Sequence, residues 1–333
     1  MNSRTAYFFC GIGGSGMLPL SLIVKAGGAD VSGSDRALDQ GRTAQKFAFL
    51  RSQGITLYPQ DGSGVTRGDL TVVTSAAVEE TVPDVQAARR IGARVVTRAS
   101  VLAALFNEAP MRIGVAGTSG KSTTTGMIGW ILEATGRHPT IVNGAVMKNF
   151  ITQDAPFASA VVGERNLFVC EVDESDGSIS QYRPRIAVLN NVALDHKSLD
   201  ELRALFRAFV AGSEVAVLNL DNPETAGLAR EIAPERLVSW SASDAGASLS
   251  AADVMPQPDG IVFALRARGR AGLPTVALKV PGRHNLANAM AALAACEAAG
   301  IDLAEAAWAI ESFSGIRRRC VGGATGRCGT RED

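Results

Sequence analysis

The sequence predicts an α/β protein with two phosphate-binding loops, each placed between a strand of a parallel sheet and a helix. Short apolar runs alternate with helical runs along most of the chain, a pattern typical of parallel sheets that helices cover on both faces. A glycine-rich turn follows an apolar run at residues 11–16 and again at residues 117–120, and an apolar helical pattern follows each turn. Such turns bind phosphate because backbone N–H groups and the helix dipole converge on the anion.

The composition indicates a globular chain without a strong overall charge. Its 333 residues suggest about two domains. Basic and acidic residues are equal at 33 each, so we expect no nucleic-acid partner and no attraction to an anionic membrane. No apolar run reaches the roughly 18 residues of a membrane span, and the first residues carry no signal-peptide pattern. Because the five cysteines are scattered without a C-x-x-C pair, we expect a cytoplasmic protein.

The first part of the chain predicts a Rossmann-like unit. An apolar strand at residues 7–10 leads into a G-x-G-x-x-G sequence at residues 11–16, and Met17 opens an apolar helix. An acidic residue, Asp35, follows the next strand, as it does in dinucleotide-binding units. From these residues alone, NAD is the default ligand of the loop. Further strands and helices of this unit are predicted at residues 54–57, 70–74, 83–91, 94–97 and 100–106.

The second glycine turn predicts an ATP site. A buried strand at residues 113–116 precedes the turn at 117–120, and Lys121, Ser122 and Thr123 open the helix. Lys121 would reach the β- and γ-phosphates, and the hydroxyl of Ser122 or Thr123 would bind Mg²⁺. The strict P-loop pattern also requires a glycine earlier in the segment, so the match to that pattern is incomplete.

Polar residues at the ends of two further strands predict a cation site. Four carboxylates lie between residues 171 and 176, directly after an apolar strand. Their mutual repulsion is offset either by exposure to solvent or by a bound cation, and both interpretations remain open here. Asp195 and His196 follow the apolar strand at residues 186–189. Magnesium prefers oxygen ligands, so a histidine ligand would be unusual.

Several segments resemble the Mur ligases, the ATP-dependent enzymes that add amino acids to UDP-N-acetylmuramic acid in peptidoglycan synthesis. The sequence Gly-Thr-Ser-Gly-Lys-Ser-Thr at residues 117–123 is similar to their shortened nucleotide loop, and residues 281–289 carry their Pro-Gly-x-His-Asn-x-x-Asn-Ala signature. Residues 11–17 resemble the first loop of two branches, the members that add L-alanine and the murein tripeptide ligases. The resemblance extends over about residues 5–318 and ends at a segment similar to the hinge before the family's third domain.

The resemblance implies a ligase that requires ATP and Mg²⁺ and acts on UDP-N-acetylmuramate and an amino acid or short peptide. In the family, the first loop holds the diphosphate of the UDP-sugar, which favours a UDP-sugar over NAD. A Cβ at Gly13 should then obstruct the approach of that diphosphate.

The resemblance also implies individual site residues. The implied UDP-sugar site consists of Gly11, Ile12, Gly13, Gly14, Ser15, Gly16, Met17, Asp35 and Ser75. The implied ATP site consists of Gly117, Thr118, Ser119, Gly120, Lys121, Ser122, Thr123, His284, Asn285, Asn288 and Arg318. The implied catalytic residues are Lys121, Glu171 and His196, and the implied Mg²⁺ ligands are Ser122, Glu171 and His196.

We expect three parts in the chain: a Rossmann-like UDP-sugar domain at residues 1–108, a central P-loop ATPase domain at 109–313, and a hinge remnant with a disordered tail at 314–333. After Arg318 the sequence shows no strand or helix pattern, so we expect the third domain to be absent and amide formation by this chain to be slow or lacking. Three alternatives remain: a ligase of the cell-wall recycling branch, a non-catalytic ATP- or UDP-sugar-binding remnant, and an NAD-dependent oxidoreductase.

Overall fold

The computed structural model describes residues 5–175, 177–194 and 197–317. The predicted site residues His196 and Arg318 lie outside the described residues, as do Asp176, Asp195 and the predicted disordered tail.

The first sheet contains five parallel strands within the described part of the chain, in the order β3-β2-β1-β4-β5. The strands are β1 (Ala6–Cys10), β2 (Asp30–Ser34), β3 (Thr56–Tyr58), β4 (Thr71–Thr74) and β5 (Arg94–Thr97). The helices around them are α1 (Met17–Ala26), α2 (Arg36–Asp39), α3 (Ala44–Ser52), α4 (Pro83–Arg90) and α5 (Arg98–Glu108). This confirms the predicted Rossmann-like parallel sheet, although β3 begins and ends later than residues 54–57.

The second sheet contains ten strands among the described residues, in the order β16-β15-β14-β13-β12-β11-β6-β10-β7-β9. The strands are β6 (Met111–Ala116), β7 (Pro139–Val142), β9 (Ala160–Val161), β10 (Glu164–Glu171), β11 (Ile186–Leu189), β12 (Val215–Asn219), β13 (Leu237–Ser241), β14 (Leu249–Gln257), β15 (Gly260–Ala267) and β16 (Thr275–Leu278). Its central strands are parallel, whereas β15 pairs antiparallel with β14 and β16, and β9 pairs antiparallel with β7.

The helices of the second unit bury apolar faces against this sheet and against each other. They are α6 (Lys121–Ala134), α7 (Leu199–Ala211), α8 (Pro223–Ala229), α9 (Arg283–Ala298) and α10 (Leu303–Ile310). Helix α9 packs closely because many of its residues are alanines with small side chains. Ten of the eleven residues from Leu286 to Cys296 are buried. The predicted apolar positions of α6, which include Met127 and Ile131, are fully buried in the same core.

A short antiparallel pair joins the end of the described chain to the second unit. Strand β8 (Val146–Met147) pairs with β17 (Ile316–Arg317). The side chain of Asn149 holds the segment before β17, because it accepts hydrogen bonds from the backbone N–H and hydroxyl of Ser314 at 2.8 Å each and donates to the carbonyl of Ser312 at 2.9 Å. The segment 312–317 is therefore fixed to the second unit.

The two units share an apolar interface. The buried ring of Phe106, on α5, lies edge-on to Phe168 and to Tyr182, with ring centroids 5.7 and 5.4 Å apart. Asn107 exchanges hydrogen bonds with the backbone of Gln181 and Arg183, both at 2.8 Å. Aromatic contacts and paired backbone groups thus connect α5 of the first unit to the second unit. Among the residues described, no helix is long and apolar enough to cross a membrane.

Candidate functional site

The candidate site lies where β6, β10 and β11 end. In the parallel register, Glu171 at the end of β10 lies beside Val115, and Leu189 at the end of β11 lies beside Ala116. The chain runs from β6 to strands on one side and later returns to β11 on the other side. Crevices at such reversals, outside the carboxyl ends of parallel strands, are the usual ligand sites of α/β sheets. The loop after β6 and Glu171 therefore lie at the same edge of the sheet, whereas the predicted Asp195 and His196 lie outside the described residues.

The loop between β6 and α6 requires glycine at two positions. Gly117 and Gly120 have φ angles of +131° and +80°, conformations that residues with a Cβ rarely adopt. Space is limiting as well, because a Cβ on Gly120 would stand 2.3 Å from Oδ1 of Asn288, and one on Gly117 would stand about 3 Å from the backbone of Asn191. The loop thus packs against the end of β11 and against α9.

Asparagine side chains hold the loop in this shape. Asn191 accepts a hydrogen bond from the backbone N–H of Ser119 at 2.9 Å and donates to its carbonyl at 3.1 Å, while its own carbonyl accepts from the N–H of Thr118. Beneath the loop, Asn190 donates to the hydroxyl of Thr124 at 2.8 Å, and that hydroxyl donates to Asn288 at 3.2 Å. The roles of Asn190, Asn191 and Thr124 at the loop were not predicted from the sequence.

Lys121 is already paired in this structure. Its ammonium donates to the Gly117 carbonyl at 2.7 Å and to the two carboxylate oxygens of Glu174 at 2.9 and 3.1 Å. The side chains of Lys121 and Glu174 are only 14% and 7% exposed, so this is a largely buried ion pair. Glu174 was part of the predicted acidic run, but its partner was not predicted.

A cavity of about 420 Å³ opens above the loop, and Lys121, Ser122 and Glu171 of the predicted phosphate- and metal-binding residues line it. It is lined by residues 118–123, Gly144, Ala145, Glu171 and Ile316. Glu171 accepts a hydrogen bond from the backbone N–H of Gly144 at 2.6 Å, which fixes its carboxylate at the cavity wall. Ser122 and Glu171 offer hydroxyl and carboxylate oxygens, the donors that Mg²⁺ prefers. These residues fit Mg²⁺, although the described residues include no cluster of three His, Cys, Asp or Glu that could hold a metal.

The predicted nucleotide residues of α9 differ in their surroundings. Asn288 is buried beneath Gly120 and so supports the loop. Asn285 is half-buried, donates to the Pro281 carbonyl at 2.6 Å and accepts from Asn288 at 3.4 Å. His284 lies next to Gly282 at the helix start. Contacts of these residues with adenine or ribose therefore remain predictions.

The glycine loop of the first unit is also held by the neighbouring strand. The N–H groups of Gly11 and Ile12 donate to the Ser34 carbonyl at 2.8 and 2.9 Å, and the N–H of Gly13 donates to Asp35 at 2.8 Å. The other carboxylate oxygen of Asp35 accepts from the N–H of Ala37 at 2.8 Å. Both oxygens of this carboxylate thus accept from backbone, and because Asp35 is only 9% exposed, little of it is left for a ribose hydroxyl.

The structure corrects the expected effect of a Cβ at Gly13. Such an atom would stand 2.9 Å from the carboxylate of Asp35 and 3.0 Å from the ring of Phe47. It would therefore disturb the support of the loop inside the protein rather than obstruct a ligand in the cleft.

Two further features lie beside the first loop. Lys46, which was not predicted from the sequence, donates from its ammonium to the Gly13 carbonyl at 2.8 Å. Ser75 closes the turn after β4 by accepting from the N–H of Val78, and Val78 stands 3.8 Å from where a Cβ on Gly11 would be. Gly14, Ser15, Gly16 and Met17 continue from the loop into α1. The predicted UDP-sugar residues are thus adjacent, and a contact between Ser75 or Asp35 and a ligand stays a prediction.

The described cysteines do not offer a nucleophile. Cys10, Cys170 and Cys296 are buried free thiols. Burial, and then the nearby Asp84 carboxylate, raises the pKa of the Cys10 thiol to about 12. Burial likewise raises the pKa of the Cys170 and Cys296 thiols. A thiol with a raised pKa forms little of the reactive thiolate at neutral pH, so these residues serve packing.

Comparison with known proteins matches both units to one family. Residues 6–109 match the catalytic domain of the Mur ligase family, and residues 115–296 match the Mur ligase middle domain. The chain belongs to the Mur ligase family. This confirms the resemblance that the two loops predicted and the α/β architecture that followed from it.

Individual relatives agree with this membership. A UDP-N-acetylmuramate–L-alanine ligase from Synechococcus sp. (strain JA-3-3Ab) is 38% identical over 332 residues, which are 96% of this chain and 61% of the relative. The UDP-N-acetylmuramate–alanine ligase from Thermotoga maritima superposes with a TM-score of 0.77 at 25% identity, over 94% of this chain and 70% of that one. A murein peptide ligase from Psychrobacter arcticus 273-4 superposes with a TM-score of 0.79 at 25% identity, over 94% and 69%. The chain spans 61–66% of the length of the first curated relatives that it matches.

The packing of Gly120 against α9 can be tested by a matched pair of substitutions. Gly120→Ala and Gly136→Ala both place a Cβ at a positive φ, of +80° and +73°, but only Gly120 has neighbours within 4 Å. Gly136→Ala should lower the free energy of unfolding by about 1–2 kcal/mol through backbone strain. Gly120→Ala should lower it by roughly 1–3 kcal/mol more, because the new atom overlaps Asn288. Urea unfolding measures both, and equal losses would contradict the packing of this loop.

Proposed function

We propose that this chain carries the UDP-sugar and ATP sites of a Mur ligase that joins L-alanine to the carboxylate of UDP-N-acetylmuramate. The observation that supports the proposal is that the Lys121 loop borders a cavity that Ser122 and Glu171 also line with oxygen atoms. In addition, the first unit has a glycine-rich loop of its own between β1 and α1. A nucleoside triphosphate and a diphosphate sugar account for both loops.

The proposed reaction has two steps. The γ-phosphoryl group of ATP passes to the muramoyl carboxylate, which gives an acyl phosphate and ADP. The amine of the amino acid then attacks the acyl carbon, phosphate leaves, and the amine loses a proton as the amide forms. Phosphoryl transfer of this kind depends mostly on positioning and on charge stabilisation by the protein.

The residues of the second unit would divide this work. The N–H groups of the 117–120 loop and of the start of α6 would hold the phosphates, and Lys121 would balance charge on the β- and γ-oxygens. Bound Mg²⁺ would neutralise further phosphate charge. Ser122 and Glu171 would hold that ion, and we keep His196 as a proposed third ligand and Arg318 as a proposed contact of the γ-phosphate on the resemblance alone.

The residues of the first unit would bind the sugar nucleotide. The N-terminus of α1 and the glycine loop would receive its diphosphate. We propose Lys46 as an additional cation beside that diphosphate, because its ammonium lies at the Gly13 carbonyl. Asp35, buried and bound to the loop backbone, would keep the loop in shape.

A recycling ligase that adds a tripeptide is the second candidate, because the murein peptide ligase superposes as well as the alanine ligase does. The 38% identity to an alanine ligase supports L-alanine. Release of phosphate that depends on L-alanine, or instead on the L-alanyl-γ-D-glutamyl-diaminopimelate tripeptide, distinguishes the two.

We propose domain limits at residues 108 and 313, as the sequence predicted, and a cytoplasmic location that suits the buried free thiols.

The ATP site is tested by Lys121→Ala. Loss of the ammonium should weaken binding of Mg·ATP by about 10–150-fold, the range expected for a hydrogen-bonding charge. Calorimetric titration measures the affinity, and Lys148→Ala is the control, since Lys148 belongs to the same unit but does not line the cavity. Because the change leaves Glu174 buried without its partner, the unfolding midpoint is measured alongside. Equal ATP affinity in a folded variant would show that the site is misassigned.

The ligand of the first loop is tested by comparing the binding of UDP-N-acetylmuramate with the binding of NADH. UDP-N-acetylmuramate should bind the unmodified chain and NADH should not, because the Asp35 carboxylate is buried and engaged with the loop backbone, which leaves little of it to accept a ribose hydroxyl. Lys46→Ala should weaken the UDP-sugar by about 5–20-fold and leave ATP unaffected. Binding of NADH without affinity for the UDP-sugar would overturn the assignment.

A further inference from the structure

Glu174 and the Gly117 carbonyl together accept hydrogen bonds from all three N–H donors of Lys121. An ammonium group has three N–H donors. In Lys121 these donors have three acceptors within 3.1 Å, which are the Gly117 carbonyl and the two oxygens of Glu174. A phosphate oxygen that contacts this ammonium must therefore replace an existing acceptor.

The geometry shows which acceptor can be replaced. The Gly117 carbonyl belongs to the loop that Asn191 and Asn190 hold in place. Glu174 lies in the turn after β10, where the N–H of Gly177 donates to its carbonyl at 3.4 Å. Gly177 has a φ of +74°, and no atom of the described residues beyond its chain neighbours lies within 4 Å of its Cβ position. A turn with open space around its glycine can rearrange more easily than a loop that is packed on two sides.

Glu174 is also separate from the cavity that would take the phosphates. The cavity is lined by Lys121 and Glu171 but not by Glu174, which is 5% exposed. The ion pair thus joins the ammonium to a buried carboxylate that does not line the cavity. A buried ion pair is costly to break, since separation leaves a carboxylate without a partner in a poorly solvated place.

We propose that Glu174 is a positioning residue that competes with nucleotide phosphate for Lys121, so that phosphate binding must open the Lys121–Glu174 pair. The proposal rests on the ATP site proposed above. It gives the turn after β10 a specific role, because the turn holds Lys121 when no phosphate is present and releases it when phosphate arrives. The apparent association constant for nucleotide then equals the intrinsic constant multiplied by the fraction of molecules in which the pair is open.

The competition predicts an unusual sign for a substitution in a binding site. Glu174→Gln keeps the size of the side chain but removes its charge, so the ammonium is held less strongly. Binding of Mg·ATP and Mg·ADP should become about 5–20-fold tighter, since a charge-assisted contact is replaced by a weaker neutral one. Binding of AMP should not change, because Lys121 reaches only the β- and γ-phosphates.

Asp173→Asn is the matched control. Asp173 is exposed, lies in the same turn and accepts a hydrogen bond from the N–H of Ser175, without a contact to Lys121. This substitution removes the same charge from the same turn, so it should leave the three affinities unchanged. Glu174→Asp, whose shorter side chain cannot keep both contacts, should tighten ATP binding less than Glu174→Gln and serves if the latter does not fold.

Calorimetric titration of the full chain and its variants with ATP, ADP and AMP in Mg²⁺ decides the matter. Tighter binding of ATP and ADP by Glu174→Gln alone supports the competition. Equal or weaker binding by a folded Glu174→Gln, or an equal gain in Asp173→Asn, would overturn it. If the unmodified chain binds no ATP, the proposed function fails instead, so the two failures are distinct.

Discussion

The parallel pairing of β6 with both β10 and β11 is the constraint on which the nucleotide site depends. This pairing brings the ends of three strands to one edge of the sheet, with Glu171 beside Val115 and Leu189 beside Ala116. The Lys121 loop, Glu171 and Asn191 lie at or just beyond these strand ends, and this is why they are close to one another. Any change that shifted this register would separate Lys121 from Glu171, even if every side chain were retained.

Both loops are stabilised by the same physical device. The glycines of such a turn let a ligand approach the backbone closely, but they also leave the turn with more conformational freedom. In each unit, a side chain just after the neighbouring strand restricts that freedom by hydrogen bonding to the turn. Asp35, after β2, holds Gly13, while Asn191, after β11, holds Ser119. The first loop uses a carboxylate and the second an amide.

The sequence was sufficient for the elements that local chemistry determines. Strand, glycine turn and helix at 113–123 were predicted because hydrophobic pattern and turn residues agree there. The long hairpin of β14 and β15 was not predicted, since Asp253 and Pro256 interrupt the apolar strand pattern in the sequence; in the structure, the register shifts next to Asp253, which has a φ of 51°. The pairing of Lys121 with Glu174 and the burial of Asn288 depend on contacts between residues that are 53 and 164 positions from their partners. Such contacts leave no local pattern.

The central claim is that the cavity above the Lys121 loop holds the phosphates of ATP. A crystal structure of the chain with Mg²⁺ and a non-hydrolysable ATP analogue tests this most directly. The account predicts the β- and γ-phosphates at the N–H groups of the loop, the metal between Ser122 and Glu171, and Lys121 on the phosphates rather than on Glu174. A nucleotide bound elsewhere, with the Lys121–Glu174 pair still closed, would contradict it.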